Sequence, residues 1–207
     1  AKHFQDYWDP NTSDVEKMLE DALSESSNLL TGVNYFPKGM LLGFAKLNPV
    51  KTLDTLVKLF DDSKDLKERL IKFETAGEEL LDEENRARVI KNEKPAKSSY
   101  CEPRSASVYL AFHNSKNNYL YKASIYKAFS TLLGVKALSN KFDKVVAYYE
   151  LCDSVLSFIQ ENHPEIIQER ETCLQQKSLE VMSMRHSLKG FLIPSVLMPC
   201  PMQQSVI

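Results

Sequence analysis

Apolar side chains recur at helical spacing throughout the first 81 residues, and this spacing is the strongest constraint on the fold. The earliest example follows Ser13 and Glu16, which have the spacing of a capping box at a helix start. Its apolar positions are Val15, Met18, Leu19 and Ala22. Such spacing places apolar side chains on one side of a helix, and that side has to be covered by other helices.

Helix-start signals divide this part of the chain into further helices. Pro37 suits the first position of a helix, because the missing N–H is not needed there. Asn48-Pro49 ends that helix and starts another, and Asp61-Asp62-Ser63 precedes a fourth. The apolar faces are Met40, Leu41, Phe44 and Ala45; Leu53, Leu56, Val57 and Phe60; and Leu66, Leu70, Phe73 and Leu80. We therefore predict that residues 1–81 form a helical array joined by short turns.

The next segment, residues 82–103, has few apolar side chains and many charged or small polar ones. Pro95 and Pro103 interrupt it. This composition is typical of exposed chain. We predict a polar linker or surface loop that separates the helical N-terminal part from the second part of the chain.

The second part, residues 104–175, begins with an ambiguous pattern. Residues 105–113 have the β-branched and aromatic content of a strand, although their apolar spacing also suits a helix. After a turn rich in asparagine, residues 119–122 resemble a short strand. We predict a mainly α fold (α+β), with a short β element around residues 105–122, in which this second part packs on the first.

Two helices are predicted to follow this β element. Ser124 is a candidate cap, and Gly134 suits the position just past the end of the first of these helices. Its apolar face is Ile125, Ala128, Phe129 and Leu132. A longer helix runs to His163-Pro164 and is followed by a last one. Residues 176–207 have no clean periodicity and form an uncertain C-terminal tail.

Composition suits one globular protein of the reducing cytoplasm. The chain has 207 residues, of which 43% are hydrophobic, and no apolar run long enough to span a bilayer. Its first residues have no apolar segment typical of a secretion signal. The four cysteines are far apart and form no CxxC pair. We expect a cytoplasmic protein with no membrane partner.

The near-neutral net charge of −2 conceals a basic middle segment. Residues 1–93 carry 13 basic and 19 acidic side chains, and residues 148–207 carry four and seven. Residues 94–147 carry nine basic side chains and only two acidic ones. A charge asymmetry of this kind gives the surface a local field that attracts polyanions.

No catalytic motif is recognisable. The chain lacks GxxxxGK[ST], GxGxxG and GxSxG, and Phe36-Pro37-Lys38-Gly39 resembles a phosphate loop only superficially. The four histidines are too far from each other and from cysteine to suggest a zinc site. We expect no enzymatic activity, no cofactor and no bound metal, although a site assembled only by the fold is a third possibility.

Tyrosines interleave with the lysines of the basic segment, and this combination suits nucleic acid. Lysine neutralises phosphates, and exposed aromatic rings stack on bases. The candidate DNA-binding residues are Arg104, Lys116, Asn117, Tyr119, Tyr121, Lys122, Tyr126, Lys127, Lys136, Lys141 and Lys144. The alternative is that the tyrosine rings pack in the core and the lysines only keep the protein soluble.

Several segments resemble the N-terminal specificity domain of McrB-type restriction proteins. The resemblance covers about residues 8–160 and includes Trp8-Asp9-Pro10, Asn28-Leu29-Leu30-Thr31-Gly32 and Phe36-Pro37-Lys38-Gly39-Met40. It continues in Arg104-Ser105-Ala106-Ser107-Val108-Tyr109 and in Tyr119-Leu120-Tyr121-Lys122.

The resemblance implies a DNA-recognition or targeting module in phage defence. Its partners would be DNA, with or without modification at cytosine, an AAA+ GTPase motor domain and a nuclease subunit. This chain lacks the phosphate loop of such a motor, and the segment after Leu174 departs from the family pattern.

The competing hypothesis is a helical protein–protein interaction domain with no nucleic-acid role. The apolar side chains of residues 190–207 would belong to its contact surface.

Overall fold

A computed structural model describes residues 1–173, and those residues are helical with no sheet. The helices are α1 (Lys2–Tyr7), α2 (Val15–Ala22), α3 (Ser27–Leu30), α4 (Pro37–Leu47), α5 (Pro49–Phe60), α6 (Leu66–Ile90), α7 (Pro103–His113), α8 (Ala123–Leu132) and α9 (Lys141–Asn162). A short 3-10 turn, Ser24–Ser26, precedes α3, and residues 164–173 are again helical. The prediction of a mainly helical fold is confirmed.

The chain divides into two compact units, the first of which is Ala1–Ser154. Its core is built from the buried faces of α2, α4, α5 and α6, and α7 packs against α1, α3, α5 and α6. The fully buried side chains include Leu19, Phe44, Leu56, Phe73 and Tyr109. A helix buried on all sides is typical of the centre of an all-α core, and α7 occupies that position with eight of its 11 residues buried.

The helix starts of the N-terminal part are close to the predicted ones. α4 and α5 begin at Pro37 and Pro49, as predicted. The side chain of Asn48 caps α5 by accepting the N–H of Lys51 at 3.1 Å. The caps of α2 and α6 are Asp14 and Asp65, respectively one and two residues beyond the predicted cap segments.

The predicted linker is helical over much of its length, because α6 continues to Ile90. The non-helical part, residues 91–102, is held against α6. Asn85 on α6 exchanges two hydrogen bonds with the backbone of Ala96, at 2.7 and 3.1 Å. Cys101 is buried against Gly77, and a Cβ added at Gly77 would lie 2.2 Å from the Cβ of Cys101.

The predicted β element around residues 105–122 is wrong. Residues 105–113 belong to α7. Pro103 occupies the start of this helix, and the hydroxyl of Ser105 accepts the Glu102 N–H at 3.2 Å. The chain over residues 118–122 is extended but pairs with no strand. Among the described residues the only β pairing is a bridge between Gly32 and Tyr35.

The second unit begins at Val155 and is described as far as Cys173. It contains the end of α9, a break at His163 and the helical residues 164–173, so the predicted break is confirmed. None of the described helices is long and apolar enough to cross a membrane. The uncertain tail and the apolar residues of 190–207 lie outside the described part of the chain.

Candidate nucleic-acid interface

The candidate site lies in a region of the chain that contains no acidic residue. Residues 103–142 carry six Lys or Arg side chains and no Asp or Glu. They form α7, the turn after it, α8 and the loop that leads to α9. The segment itself is therefore positively charged, and the acidic side chains that reach it come from other helices, such as Glu74 on Lys141 and Asp153 on Tyr119.

Buried hydroxyls fix the segment that connects α7 to α8. The hydroxyl of Ser107 on α7 accepts the N–H of Tyr121 at 3.0 Å and donates to the carbonyl of Arg104 at 2.8 Å. The side chain of Asn118 donates to the carbonyl of Asn114 at 2.9 Å. These bonds direct residues 118–121 back along α7, and so determine where α8 begins.

Two of the tyrosines proposed to stack on bases are part of the core. Tyr121 and Tyr126 are 8% and 5% exposed. The Tyr121 ring packs edge-to-face on Tyr148 at 5.6 Å, and burial raises the pKa of its phenol. The Tyr126 phenol accepts the N–H of Leu138 at 3.2 Å. Both rings therefore position the surface and are unavailable to a ligand in this conformation.

Tyr119 is engaged within the first unit as well. Its phenol donates to the carboxylate of Asp153 at 2.5 Å, and its ring lies edge-to-face on Tyr149 at 5.3 Å. Burial and the nearby carboxylate raise the pKa of Tyr119 to about 12. The aromatic half of the predicted site is thus mostly committed to internal packing.

The predicted basic residues fall into two groups. Lys116, Asn117, Lys122, Lys127 and Lys136 are exposed, on the turn after α7, on α8 or beside it. Within the described part of the chain, none of these four lysines forms an ion pair, so each has its full charge available. We refer to these five exposed residues, which lie within residues 116–136 of the chain, as the lysine surface.

The remaining basic candidates are used differently. Lys141 forms an ion pair with Glu74 on α6, and Lys144 is half-buried. The guanidinium of Arg104 lies over the ring of Tyr35, 4.0 Å from its centroid. Arg104 is also about 15 Å along α7 from the turn that carries Lys116, at about 1.5 Å per residue. The structure does not bring these three side chains into the lysine surface.

The apolar side chains of α8 lie mostly at the surface, contrary to the prediction. The predicted inner face was Ile125, Ala128, Phe129 and Leu132, of which only Phe129 is half-buried. Leu132 is 81% exposed. The buried residues of this helix are Tyr126 and Ser130. Serine can face inward here because the Ser130 hydroxyl donates to the Tyr126 carbonyl at 2.9 Å, which satisfies its polar hydrogen.

No arrangement typical of a catalytic centre is found in the described residues. Among them, no group of three or more His, Cys, Asp or Glu side chains could hold a metal ion. A cavity of about 680 Å³ lies between α5 and α6, but most of its charged side chains are ion-paired with one another, as Lys51 is with Glu79. The pKa values of the Asp61 and Glu83 carboxyl groups are lowered from their ordinary values.

Comparison of the chain with protein-family models, with curated proteins and with solved structures finds no match. The function is therefore argued from this chain's own residues.

Proposed function

We propose that this protein binds DNA through the lysine surface, and that it is the DNA-recognition or targeting module of a McrB-like restriction system. The observation that carries the proposal is the set of four exposed lysines without ion pairs in a segment free of acidic side chains. Each such lysine can neutralise one phosphate and release its counterions, without first breaking an internal ion pair.

The lysine surface is suited to the phosphate backbone more than to the bases. Lysine contacts position a protein on DNA but carry no sequence information. Asn117, which is exposed on the turn beside Lys116, adds an amide that can donate to a phosphate or to a base edge. Because the rings of Tyr119, Tyr121 and Tyr126 are packed against the protein itself, the lysines favour a sequence-independent, salt-sensitive mode of binding.

The place in a restriction system is supported by the resemblance of residues 8–160 to the specificity domains of McrB-type proteins. In such a system the module would bring an AAA+ motor and a nuclease subunit to the DNA. The chain itself would contribute binding and no hydrolysis, since it lacks the phosphate loop.

The test is a titration of a labelled DNA duplex, by fluorescence anisotropy, at several salt concentrations. For the double variant Lys122→Glu/Lys127→Glu we expect much weaker binding to every duplex. We also expect a salt dependence whose slope is smaller by about 2, because each phosphate contact contributes about 0.9 to it.

The matched control is Lys46→Glu/Lys64→Glu, which makes the same change in net charge. Lys46 and Lys64 are exposed and lie on α4 and before α6, away from the basic segment. Equal weakening by both double variants would show that only net charge matters and would contradict the proposal. Duplexes with and without methylated cytosine, tested in parallel, report whether the module distinguishes modified DNA.

A further inference from the structure

Helix α8 exposes an apolar flank. Ile125, Phe129 and Leu132 have the spacing i, i+4, i+7, and Ala128 lies between them on the same side. Ile125, Ala128 and Leu132 are exposed, and Phe129 is half-buried. The inward side of the helix is occupied by Tyr126 and Ser130. We refer to Ile125, Ala128, Phe129 and Leu132 as the apolar flank of α8.

The chain on either side of α8 also exposes apolar side chains. Leu133, Val135 and Leu138 follow the helix and are all exposed, as is Leu120 before it. Together with Ile125 and Leu132, six large exposed apolar side chains lie within 19 residues, 120–138. Single exposed apolar residues are ordinary, but a concentration of this kind marks an interaction surface.

The charge around the apolar flank defines what can cover it. Lys122 precedes α8, Lys136 follows it, and both are exposed without an ion pair in the described part of the chain. The nearest acidic residues in sequence are Glu102 and Asp143, and the carboxylate of Asp153 accepts from the phenol of Tyr119, next to Leu120. A partner that buries the flank therefore gains by carrying negative charge at its edges.

We propose that the apolar flank of α8 is the docking site for an amphipathic helix of a partner protein, whose apolar stripe is bordered by Asp or Glu side chains. Side chains four residues apart form a ridge that packs into the groove of another helix. The ten residues of α8 are about 15 Å long and offer three turns to such a helix.

Charge argues against a second copy of α8 as the occupant. Pairing two apolar flanks would bring the Lys122 and Lys136 side chains of both copies together with no acid from residues 103–142 to separate them. Nucleic acid matches the lysines but offers no apolar groove for Leu132.

Lys127 lies outside the docking site, because it is about 160° around the helix from Phe129 at 3.6 residues per turn.

The experiment uses two labelled synthetic peptides of about 14 residues, four helical turns each. They share one leucine stripe and differ only in having glutamate or lysine beside it. Fluorescence titration with the whole chain should give at least about tenfold tighter binding of the glutamate peptide. The variant Ile125→Ser/Leu132→Ser should lose at least about tenfold of that affinity.

The matched control for this variant is Val89→Ser/Ile90→Ser, which removes two exposed apolar side chains at the end of α6 and should bind the peptide normally. Equal affinity for both peptides, or no binding of either, would overturn the proposal. Two other results would also overturn the proposal, if no peptide binds. One is binding to vesicles containing phosphatidylserine that Ile125→Ser/Leu132→Ser removes. The other is self-association that the same variant removes.

Failure of this proposal is distinguishable from failure of the DNA-binding proposal. Ile125→Ser/Leu132→Ser should leave the affinity for DNA unchanged. Lys127→Glu should weaken DNA binding and leave the affinity for the glutamate peptide unchanged, because Lys127 lies on the other flank of α8.

Discussion

The backbone N–H of Leu138 donates a hydrogen bond to the phenol oxygen of Tyr126, 12 residues earlier in the chain, at 3.2 Å. This bond returns the loop after α8 to the helix from which it came. Lys136 lies within that loop. The position of Lys136, a member of the lysine surface, therefore depends on the buried side chain of Tyr126.

Tyr126→Phe keeps the buried ring and removes the acceptor for Leu138. We expect the free energy of unfolding to fall by about 1 kcal/mol, the usual net contribution of such a bond. Urea denaturation measures this, and amide exchange at Leu138 should become faster. The control is Tyr121→Phe, whose ring keeps its edge-to-face contact with Tyr148. Equal destabilisation by both substitutions would contradict the role given to the phenol.

Ser107→Ala removes the hydroxyl that accepts the buried N–H of Tyr121. An unsatisfied buried donor costs about 1–3 kcal/mol, so we expect a loss of stability in that range by urea denaturation. The control is Ser154→Ala, which also removes a hydroxyl bonded to a backbone carbonyl but is exposed on α9. Similar effects from the two changes would show that the Tyr121 bond is not decisive.

Two glycines inside helices should respond to alanine in opposite directions. At Gly43 an added Cβ meets nothing within 4 Å, so Gly43→Ala should stabilise the protein by about 0.5–1 kcal/mol through helix propensity. At Gly77 the added Cβ would meet the Cβ of Cys101 at 2.2 Å. Gly77→Ala should therefore destabilise the protein by about 1–3 kcal/mol, as overpacking does. Thermal unfolding of both variants decides the matter, and a gain of stability at Gly77 would contradict the close packing.

Glu83→Gln should destabilise the protein in a pH-dependent way. The side chains of Asn48 and Lys51 each donate to the Glu83 carboxylate at 2.9 Å, and these bonds lower its pKa below 4.5. A lowered pKa stabilises the folded state above the unfolded pKa, and this stabilisation is lost as the pH falls through the folded pKa. The difference between wild type and variant should be clear near pH 7 and shrink below about pH 4.

The measurement for Glu83 is urea denaturation at both pH values. Glu68→Gln, which affects only an exposed pair with Lys72 on α6, should have a smaller effect at either pH. A difference for Glu83→Gln that stays constant with pH would show that its charge is not involved.

Much of the helical N-terminal part could be predicted because its signals are local. Pro37 and Pro49 start helices wherever they stand in a suitable sequence, and the apolar positions of α2 recur at the helical period and are all buried. Gly134 has a φ of +67°, the left-handed conformation that ends α8, as predicted.

The errors arose where a non-local contact decides the outcome. A strand needs a partner strand to pair with, and the sequence of residues 105–122 alone does not reveal whether the fold provides one. Likewise, a strand over residues 119–122 would place Tyr119 and Tyr121 on one face, but the sequence could not show whether that face is buried. The answer depends on Tyr148 and Tyr149, far along the chain. The inner face of α8 was misassigned because tyrosine and serine are less apolar than isoleucine and leucine, yet Tyr126 and Ser130 are the pair that fits the core.

The shallow seating of α8 has a consequence for how such a protein can change over generations. Because two of its ten residues are buried, most of the others can be replaced without disturbing the fold. Substitutions at its exposed positions therefore change what the protein presents at its surface while leaving the buried residues of α7 unchanged.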